Sequence, residues 1–262
     1  MKRENSNPKG REFKVNSEWD SKDFVFTKSF RKVYHIFLTL KSHKGKSILV
    51  IGAPGTGKSA NIYSALKMLD LNIYDPTFFL DDVKINPKKV YQEFFRTLRD
   101  DLEVKTNKEV FRRVKEYDAV LLADKILDSE FLDQRKVGLS LWSEHNGVRA
   151  FPFYILVFFQ YLKHRRDLED INLIIQTALM VKINDVKYDL LTDFFILSQI
   201  FVFILKLFFD VIRISYTEKE TIEIVKKKFN FDDEKKIRLC IKKYGYKPRF
   251  ILEALEKTNR KN

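Results

Sequence analysis

Cysteine is almost absent from this sequence: Cys240 is the only one among 262 residues. An internal disulfide is therefore excluded, and a reducing compartment is indicated. Histidine is also scarce, and the four histidines, at positions 35, 43, 145 and 164, do not have the spacing of metal ligands. The sequence indicates neither a zinc site nor an iron–sulfur cluster.

Long apolar runs are missing as well. The most apolar stretch, Phe194 to Phe209, is interrupted by Ser198, Gln199 and Lys206, and it falls short of the roughly 18 apolar residues typical of a membrane-spanning helix. We predict a buried helix that leads into a core strand; the alternative is a segment on a membrane surface. Residues 1–22 lack the apolar region of a signal peptide, so we expect a cytoplasmic protein and no membrane partner.

An acidic excess is lacking too, since the formal net charge is +13. Residues 1–50 contain 12 basic and 5 acidic residues, residues 217–262 contain 14 and 8, and the middle of the chain is balanced. Basic ends around a neutral middle indicate contact with nucleic acid through salt-dependent electrostatics. The alternative is a lysine-rich surface that keeps the protein in solution.

The most informative stretch that is present is GAPGTGKS, residues 52–59, which matches the pattern G-x-x-x-x-G-K-[ST]. The apolar run Ser47 to Ile51 precedes it, and apolar residues at helical spacing follow from Ile62 to Leu69. A strand, a glycine-rich loop and a helix in this order predict a phosphate-binding loop.

Each fixed residue of this loop has a chemical role. The glycines allow positive φ angles and close backbone approach, so that several N–H groups can point at phosphate oxygens. Lys58 would neutralise the β- and γ-phosphates, and the Ser59 hydroxyl would complete the Mg²⁺ shell. We therefore expect ATP and Mg²⁺ to bind at Gly52, Ala53, Pro54, Gly55, Thr56, Gly57, Lys58 and Ser59.

Predicted strands and helices alternate along residues 23–216, which indicates an α/β domain with a parallel sheet sandwiched by helices. The predicted strands are 47–51, 72–80, 119–123, 171–175 and 211–214. Residues 1–22 are predicted to be a basic, poorly ordered segment. Residues 217–262 change to short charged helices, which predict a small all-α lid.

Several helix starts carry local signals. Asn86-Pro87 has the form of an N-cap followed by proline at the first helical position. Thr106 with Glu109, and Thr217 with Glu220, have the spacing of a capping box. Further helices are predicted over residues 23–40, 151–162 and 194–207.

Polar residues close two of the predicted strands. Asp124 follows the run 119–123, as in a Walker B segment, and would hold Mg²⁺ directly or through water; Asp81 and Asp82 are competing carboxylates. Gln176 and Thr177 follow the strand 171–175 and could contact the γ-phosphate or the attacking water. The alternative for this pair is that the two residues only end a strand.

Four motifs together resemble the AAA+ ATPases, in the initiator and archaeal-ATPase branch related to origin-recognition proteins. They are the GAPGTGKS loop, the VLLAD strand, the INLIIQT strand in the position called sensor 1, and GYKPR at residues 245–249. The resemblance implies a P-loop NTPase fold with a helical lid. It also implies that Arg249, at the start of the third lid helix, contacts the γ-phosphate.

The sequence departs from that family at two places. Lys125 stands where the family has a glutamate that activates water, and a protonated lysine is not a general base. No arginine lies between Asp193 and Asp210, where the family keeps a finger for the neighbouring subunit; Arg213, Arg165 and Arg166 are the nearest. We therefore assign no catalytic residue and leave the oligomeric state open.

The resulting functional prediction is a nucleotide-dependent switch with weak or absent ATP hydrolysis. Three alternatives remain: a nucleic-acid-associated module regulated by ATP, a membrane-peripheral P-loop adaptor, and a small-molecule kinase. The adaptor requires that the segment Phe194 to Phe209 is exposed. The kinase would share the loop at residues 52–59, although the paired arginines typical of kinase lids are not evident.

Overall fold

The structure is a computed structural model, and it describes residues 24–76, 87–123, 151–183 and 186–259. Several predictions lie outside these ranges: the poorly ordered segment 1–22, the end of the second strand, Asp81, Asp82, Asp124 and Lys125. The division into three segments remains a prediction. The fold described below is that of the α/β part and the helices that follow it.

Five strands form a parallel sheet, which confirms the predicted α/β class. Their order across the sheet is β2-β3-β4-β1-β7, and every neighbouring pair is parallel. The strands are β1 (Ser47–Ile51), β2 (Ile73–Tyr74), β3 (Val120–Ala123), β4 (Asn172–Thr177) and β7 (Asp210–Arg213). Strand β1 is therefore internal, and β7 lies at an edge.

Helices cover both faces of the sheet because successive strand residues point to opposite sides. On one face, Ile48, Val50 and Ile174 pack against α1 (Lys28–Leu38) and α2 (Lys58–Leu69). A short 3₁₀ turn, Thr39–Lys41, follows α1. We call this the α1–α2 face.

The opposite face packs against five helices, α3 to α7. Leu121 and Leu173 contact the first four of these through one apolar cluster, and Leu49 and Ile51 contact α7 through a second. The helices are α3 (Pro87–Asp101), α4 (Asn107–Glu116), α5 (Phe151–Lys163), α6 (Arg165–Leu168) and α7 (Phe195–Lys206).

Three of the predicted helix starts are confirmed. Pro87 begins α3. Thr106 and Glu109 form the reciprocal capping box of α4, and Thr217 and Glu220 form that of the helix Glu218–Phe229. Helix α1 begins later than predicted, at Lys28, because the Thr27 hydroxyl accepts a hydrogen bond from the Phe30 N–H and caps it there.

An antiparallel hairpin that the sequence reasoning missed follows β4. It consists of β5 (Met180–Ile183) and β6 (Val186–Asp189), which pair with each other and not with the main sheet. These residues lie between the predicted strand at 171–175 and the predicted helix at 194–207, where no element was assigned. The hairpin brings Asp189 to the region just before α7.

The three helices predicted for the C-terminal segment are present, and we call them the lid. They are α8 (Glu218–Phe229), α9 (Glu234–Tyr244) and α10 (Pro248–Asn259). Their apolar sides meet in a small cluster of their own, formed by Ile222, Val225, Ile237, Ile241, Ile251 and Leu255. Helix α9 ends at Gly245, which has a positive φ of 69°.

Helix α7 contradicts the prediction of a buried helix. Its bounds match the prediction closely, but Ser198 is its only buried residue. Phe201, Val202 and Leu205 face the core, whereas Phe195 is 82% exposed and six further apolar residues near it are at least 43% exposed. The helix packs beside the edge strand β7, so only one of its sides meets the sheet. Among the described residues, every helix is too short or too polar to cross a membrane.

Candidate functional site

The loop from Gly52 to Gly57 connects β1 to α2 at the carboxyl edge of the sheet. Gly55 and Gly57 have positive φ angles of 79° and 72°, as the glycine pattern predicted. Gly52 does not have a positive φ angle. A larger residue would be crowded there, because a Cβ would lie 3.0 Å from the Ile214 carbonyl oxygen and from the Thr56 hydroxyl. The loop is thus held tightly against the residue that follows β7.

Lys58 lies across the loop, and its side chain is largely buried. The residue is 8% exposed, and its ammonium group donates a hydrogen bond of 2.8 Å to the Gly52 carbonyl. The Thr56 hydroxyl donates to the Ala53 carbonyl at 2.7 Å. These bonds close the loop on itself and keep a positive charge at its centre.

The first turn of α2 starts inside the loop, with Gly57 as its N-cap. The first N–H groups of any helix have no partner within the helix, and the helix dipole places partial positive charge there. Three features therefore meet at one point: a glycine-lined turn, a buried ammonium group, and the N-terminus of the 12-residue helix α2. This combination fits an anion such as a phosphate group.

Ser59 and Gln176 are brought together from distant parts of the chain. The Ser59 hydroxyl lies 3.2 Å from Gln176 Nε2 and 3.3 Å from Oε1. The register of the sheet produces this contact, because Gln176 pairs with Val50 and Thr177 with Ile51, directly before the loop. Both residues predicted at the end of β4 thus lie at the same edge as the loop, and Gln176 makes the direct contact.

The carboxylate predicted for Mg²⁺, Asp124, lies outside the described residues, as do Asp81 and Asp82. The described strand β3 ends at Ala123, which pairs with Ile175 one residue before Gln176. The carboxyl ends of β1, β4 and β3 therefore lie side by side in this order.

Arg249 lies at the start of α10 and contacts the loop. Its backbone N–H donates to the Gly55 carbonyl at 3.3 Å, and a Cβ on Gly55 would be 3.4 Å from Arg249 Cβ. The Arg249 side chain is exposed. The lid and the loop are therefore in direct contact through the residue predicted from the GYKPR motif.

Asn61 and Tyr216 support the loop from below, and the sequence reasoning missed both. Asn61 Nδ2 donates to the Gly57 carbonyl at 2.7 Å and to the Tyr216 hydroxyl at 2.8 Å. Burial raises the pKa of Tyr216 to about 12, against the opposing hydrogen bond from Asn61. Asn61, four residues after Gly57, could have been suspected from helical spacing, but nothing in the sequence joins it to Tyr216.

Asp189 is a second group that was missed, and it is fully buried. Its carboxylate accepts hydrogen bonds from the Leu179 and Leu191 N–H groups and from the Thr192 hydroxyl. Burial raises the pKa of Asp189, while these hydrogen bonds and the charge of Lys58 oppose the rise. The carboxylate therefore fixes the turn between the hairpin and α7.

The same turn is joined to the lid by an ion pair. Asp193 accepts a hydrogen bond from the Asp189 N–H at 3.0 Å and lies 3.1 Å from the ammonium group of Lys247. The two side chains of this ion pair are 21% and 16% exposed, so it is partly shielded from water. Arg213, one of the arginines considered as a finger, instead donates to the Thr192 carbonyl at 2.6 Å.

Comparison with known proteins adds no family to this description. No protein-family model matches the chain, and no curated protein matches it at the level required for a significant similarity. The resemblance to AAA+ ATPases therefore depends on the motif residues and remains a prediction. The expected cytoplasmic location also remains a prediction.

Proposed function

We propose that this protein binds ATP and Mg²⁺ at residues 52–59 and acts as a nucleotide-dependent switch of the AAA+-like P-loop type. One observation carries the proposal: the loop, the Lys58 ammonium group and the start of α2 converge on one point, beside the pair formed by Ser59 and Gln176. The order β3-β4-β1 at the carboxyl edge supports it, because the predicted metal ligand Asp124 follows β3.

Each residue of the proposed site has a distinct task. Lys58 would neutralise phosphate charge, and the N–H groups of the loop and of α2 would bind phosphate oxygens. Ser59 and Asp124 would hold Mg²⁺, which bridges phosphate oxygens and offsets their charge when it is bound. Gln176 contacts the Ser59 hydroxyl and is therefore suited to respond to the γ-phosphate.

The switch would work through the lid. The Arg249 N–H bonds to the Gly55 carbonyl within the loop, and Lys247 pairs with Asp193 in the turn that Asp189 holds near Lys58. A phosphate group bound in the loop would therefore act on both contacts at once. Arg249, exposed beside the loop, would add a charge-assisted bond to the γ-phosphate.

Calorimetric titration with ATP and Mg²⁺ tests nucleotide binding. We expect Lys58→Ala to weaken ATP affinity at least about 10-fold, because a hydrogen bond to a charged group contributes roughly 1.5–3 kcal/mol. Lys67→Ala is the matched control, since Lys67 is exposed on the same helix. Equal ATP affinity in the Lys58 variant and the wild type would remove the basis of the proposal.

Hydrolysis is tested by an ATPase assay of the wild type beside Lys125→Glu, with and without DNA. A glutamate directly after Asp124 supplies the general base that lysine cannot. Turnover that rises only in the variant would assign this position to the catalytic base. Unchanged turnover would direct attention to another carboxylate.

A nucleic-acid-associated module is the second candidate, and the surface of the lid favours it. Lys235, Lys242 and Lys243 are exposed on α9, and within the described ranges no carboxylate pairs with them. Neighbouring cations are paired, for example Lys226 with Glu234. DNA affinity measured over a series of salt concentrations should fall steeply as salt rises. In Lys242→Glu/Lys243→Glu, the slope of log affinity against log salt should correspond to the release of about two fewer counterions.

A further inference from the structure

The outer side of α7 carries an unbroken apolar stripe. Ile196, Ile200, Phe203 and Leu207 follow one another at helical spacing, and they are 70%, 54%, 67% and 65% exposed. The inner side of the helix packs on the core through Phe201 and its neighbours. The scaffold therefore holds this stripe outward in a fixed orientation.

Helix α5, which packs on the same side of the sheet, carries further exposed apolar residues. Ile155 and Phe159, one turn apart, are 50% and 61% exposed. The rings of Phe158 and Phe208 meet edge to face at 5.2 Å, which joins α5 to the residues just after α7. We call the combined surface the α5–α7 apolar face; its members are Ile155, Phe159, Ile196, Ile200, Phe203 and Leu207.

Cations gather at one end of this face. A cavity of about 310 Å³ at the amino edge of the sheet is lined by Lys46, Arg165 and Lys206, together with Glu169 and Asp210. Lys46 lies 3.5 Å from Asp210. Arg165 and Lys206 have no ion-pair partner in the part of the chain that the structure describes.

More positive charge lies beside the cavity. Lys163, at the end of α5, and Arg166 are both exposed, and neither makes an ion pair with a described residue. The cavity itself is thus lined by three cations and two carboxylates, and Lys163 and Arg166 add two cations beside it, where the nearby Asp167 and Asp170 are bonded to His164 and Lys115. This end of the apolar face is therefore suited to meet negative charge.

We propose that the α5–α7 apolar face docks on the surface of a membrane that contains anionic lipids. The apolar side chains would enter the boundary between headgroups and acyl chains, and Arg165, Lys206 and Lys163 would contact lipid headgroups. Large exposed apolar patches on a folded protein commonly mark such contact surfaces. This proposal goes beyond nucleotide binding, and it takes up the alternative of a membrane-surface segment over the expectation that a membrane is not a partner.

The distribution of charge favours a membrane over a second copy of the chain. In a two-fold pairing each residue of the face meets the same surface of the other copy, so the cations of one copy need carboxylates at the opposite end of the face. Asp193, which precedes α7 at that end, is already paired with Lys247. An anionic bilayer instead supplies both negative charge and an apolar layer.

The nucleotide site stays accessible in this arrangement. The loop follows the carboxyl end of β1, whereas Lys46 precedes β1 and Asp210 begins β7, at the other edge of the sheet. Membrane binding and nucleotide binding can therefore be measured separately, and failure of one does not affect the other.

Flotation of the full chain with phosphatidylcholine vesicles, with or without phosphatidylserine, tests the proposal. We expect binding to the vesicles that contain phosphatidylserine. Ile200→Glu/Phe203→Glu should weaken it more than about 10-fold, because charge is placed in the inserted stripe. Arg165→Gln and Lys206→Gln should each weaken it about 5-fold and only on the anionic vesicles, because one cation near such a surface contributes about that factor.

Leu239→Glu is the matched control, because Leu239 is 64% exposed on lid helix α9 and is not part of the apolar face; this variant should bind as the wild type does. Phe203→Trp keeps the surface apolar, and the fluorescence emission of the introduced tryptophan should shift to shorter wavelength on anionic vesicles. The fluorescence emission of the tryptophan in Leu239→Trp should not shift. Absence of wild-type binding, or equal binding by Ile200→Glu/Phe203→Glu, would overturn the proposal. So would a wild-type dimer that this double variant dissociates while no vesicle binding is seen, since a second copy would then cover the face.

Discussion

The helices on the two faces of the sheet are buried to different degrees. On the α1–α2 face, the apolar side of α1 is buried, with Phe30, Val33 and Phe37 at 2% exposure or less, and its polar side is in water. On the other face, α7 is apolar except for Ser198, Gln199 and Lys206, and most of its side chains remain exposed. The two helices are similar in length, at 11 and 12 residues.

The cause of the difference is the distribution of apolar residues and the position of each helix. An amphipathic helix needs one packing partner, and α1 finds it in α2 and the sheet. A helix with apolar residues on several sides needs a partner on each of them, whereas one side of α7 meets the sheet, next to the edge strand β7. The α1–α2 face thus supports the fold, and the α5–α7 apolar face is available for contact.

The largest expected effect comes from matched truncations on the two faces. Phe37→Ala on the α1–α2 face should lower the free energy of unfolding by about 3–5 kcal/mol, because it leaves a cavity in the core. Phe203→Ala on the opposite face should change it by less than about 0.5 kcal/mol. Urea unfolding followed by circular dichroism measures both, and similar losses would contradict the comparison.

A second, smaller effect concerns the buried phenol of the α1–α2 face. The pKa of Tyr216 is raised from 10.0 to about 12 by burial, so between these pH values the folded state keeps a proton that the unfolded state loses. The contribution of Tyr216 to the free energy of unfolding should therefore be fully present below pH 10. It should be lost as pH rises towards 12, by at most about 2–3 kcal/mol. Thermal melts of Tyr216→Phe should depend less on pH across this interval.

For Tyr216, the quantity to compare between the wild type and the variant is the change of stability with pH, and not the stability at neutral pH. The phenylalanine variant loses the hydrogen bond from Asn61 and should be slightly less stable than the wild type at neutral pH. If the wild type and the variant lose stability in parallel above pH 10, other tyrosines cause the alkaline transition, and Tyr216 is not the group responsible.

The smallest expected effect tests how α1 is fixed at its start. The buried Thr27 hydroxyl caps α1 at 3.1 Å from the Phe30 N–H, whereas the N-cap of α7, Phe194, has no capping side chain of its own. Thr27→Ala should cost about 1 kcal/mol in denaturant unfolding. Thr27→Ser keeps the acceptor and should restore most of it; an equal loss in both variants would mean that the methyl group matters and not the cap.

Local patterns predicted a large part of the fold. The alternation of apolar runs with helical periods indicated the parallel sheet, and proline and capping signals located the starts of α3, α4 and α8. These signals act over a few residues, so they can be read from the chain directly. The glycine pattern likewise predicted the positive φ angles of Gly55 and Gly57.

Long-range features were the ones that the sequence did not reveal. The support of Gly57 by Asn61 and Tyr216 joins residues 155 positions apart, and the Asp189 turn follows a hairpin whose two strands, among those described, pair with each other and not with the main sheet. The apolar composition of α7 predicted burial, but burial depends on whether a neighbour covers the helix. Among the described residues, β7 ends the sheet beside α7, and most of the outer side of this helix is exposed.

The position of β1 in the sheet has a consequence for how the chain folds during its synthesis. Both neighbours of β1, the strands β4 and β7, come from beyond residue 170. Such distant pairings form slowly, because the entropy of closing a long loop is lost before the contacts compensate for it. A nascent chain should therefore carry the complete GAPGTGKS segment long before β1 has both of its neighbours, and the nucleotide binding that we propose should appear only once β7 has left the ribosome.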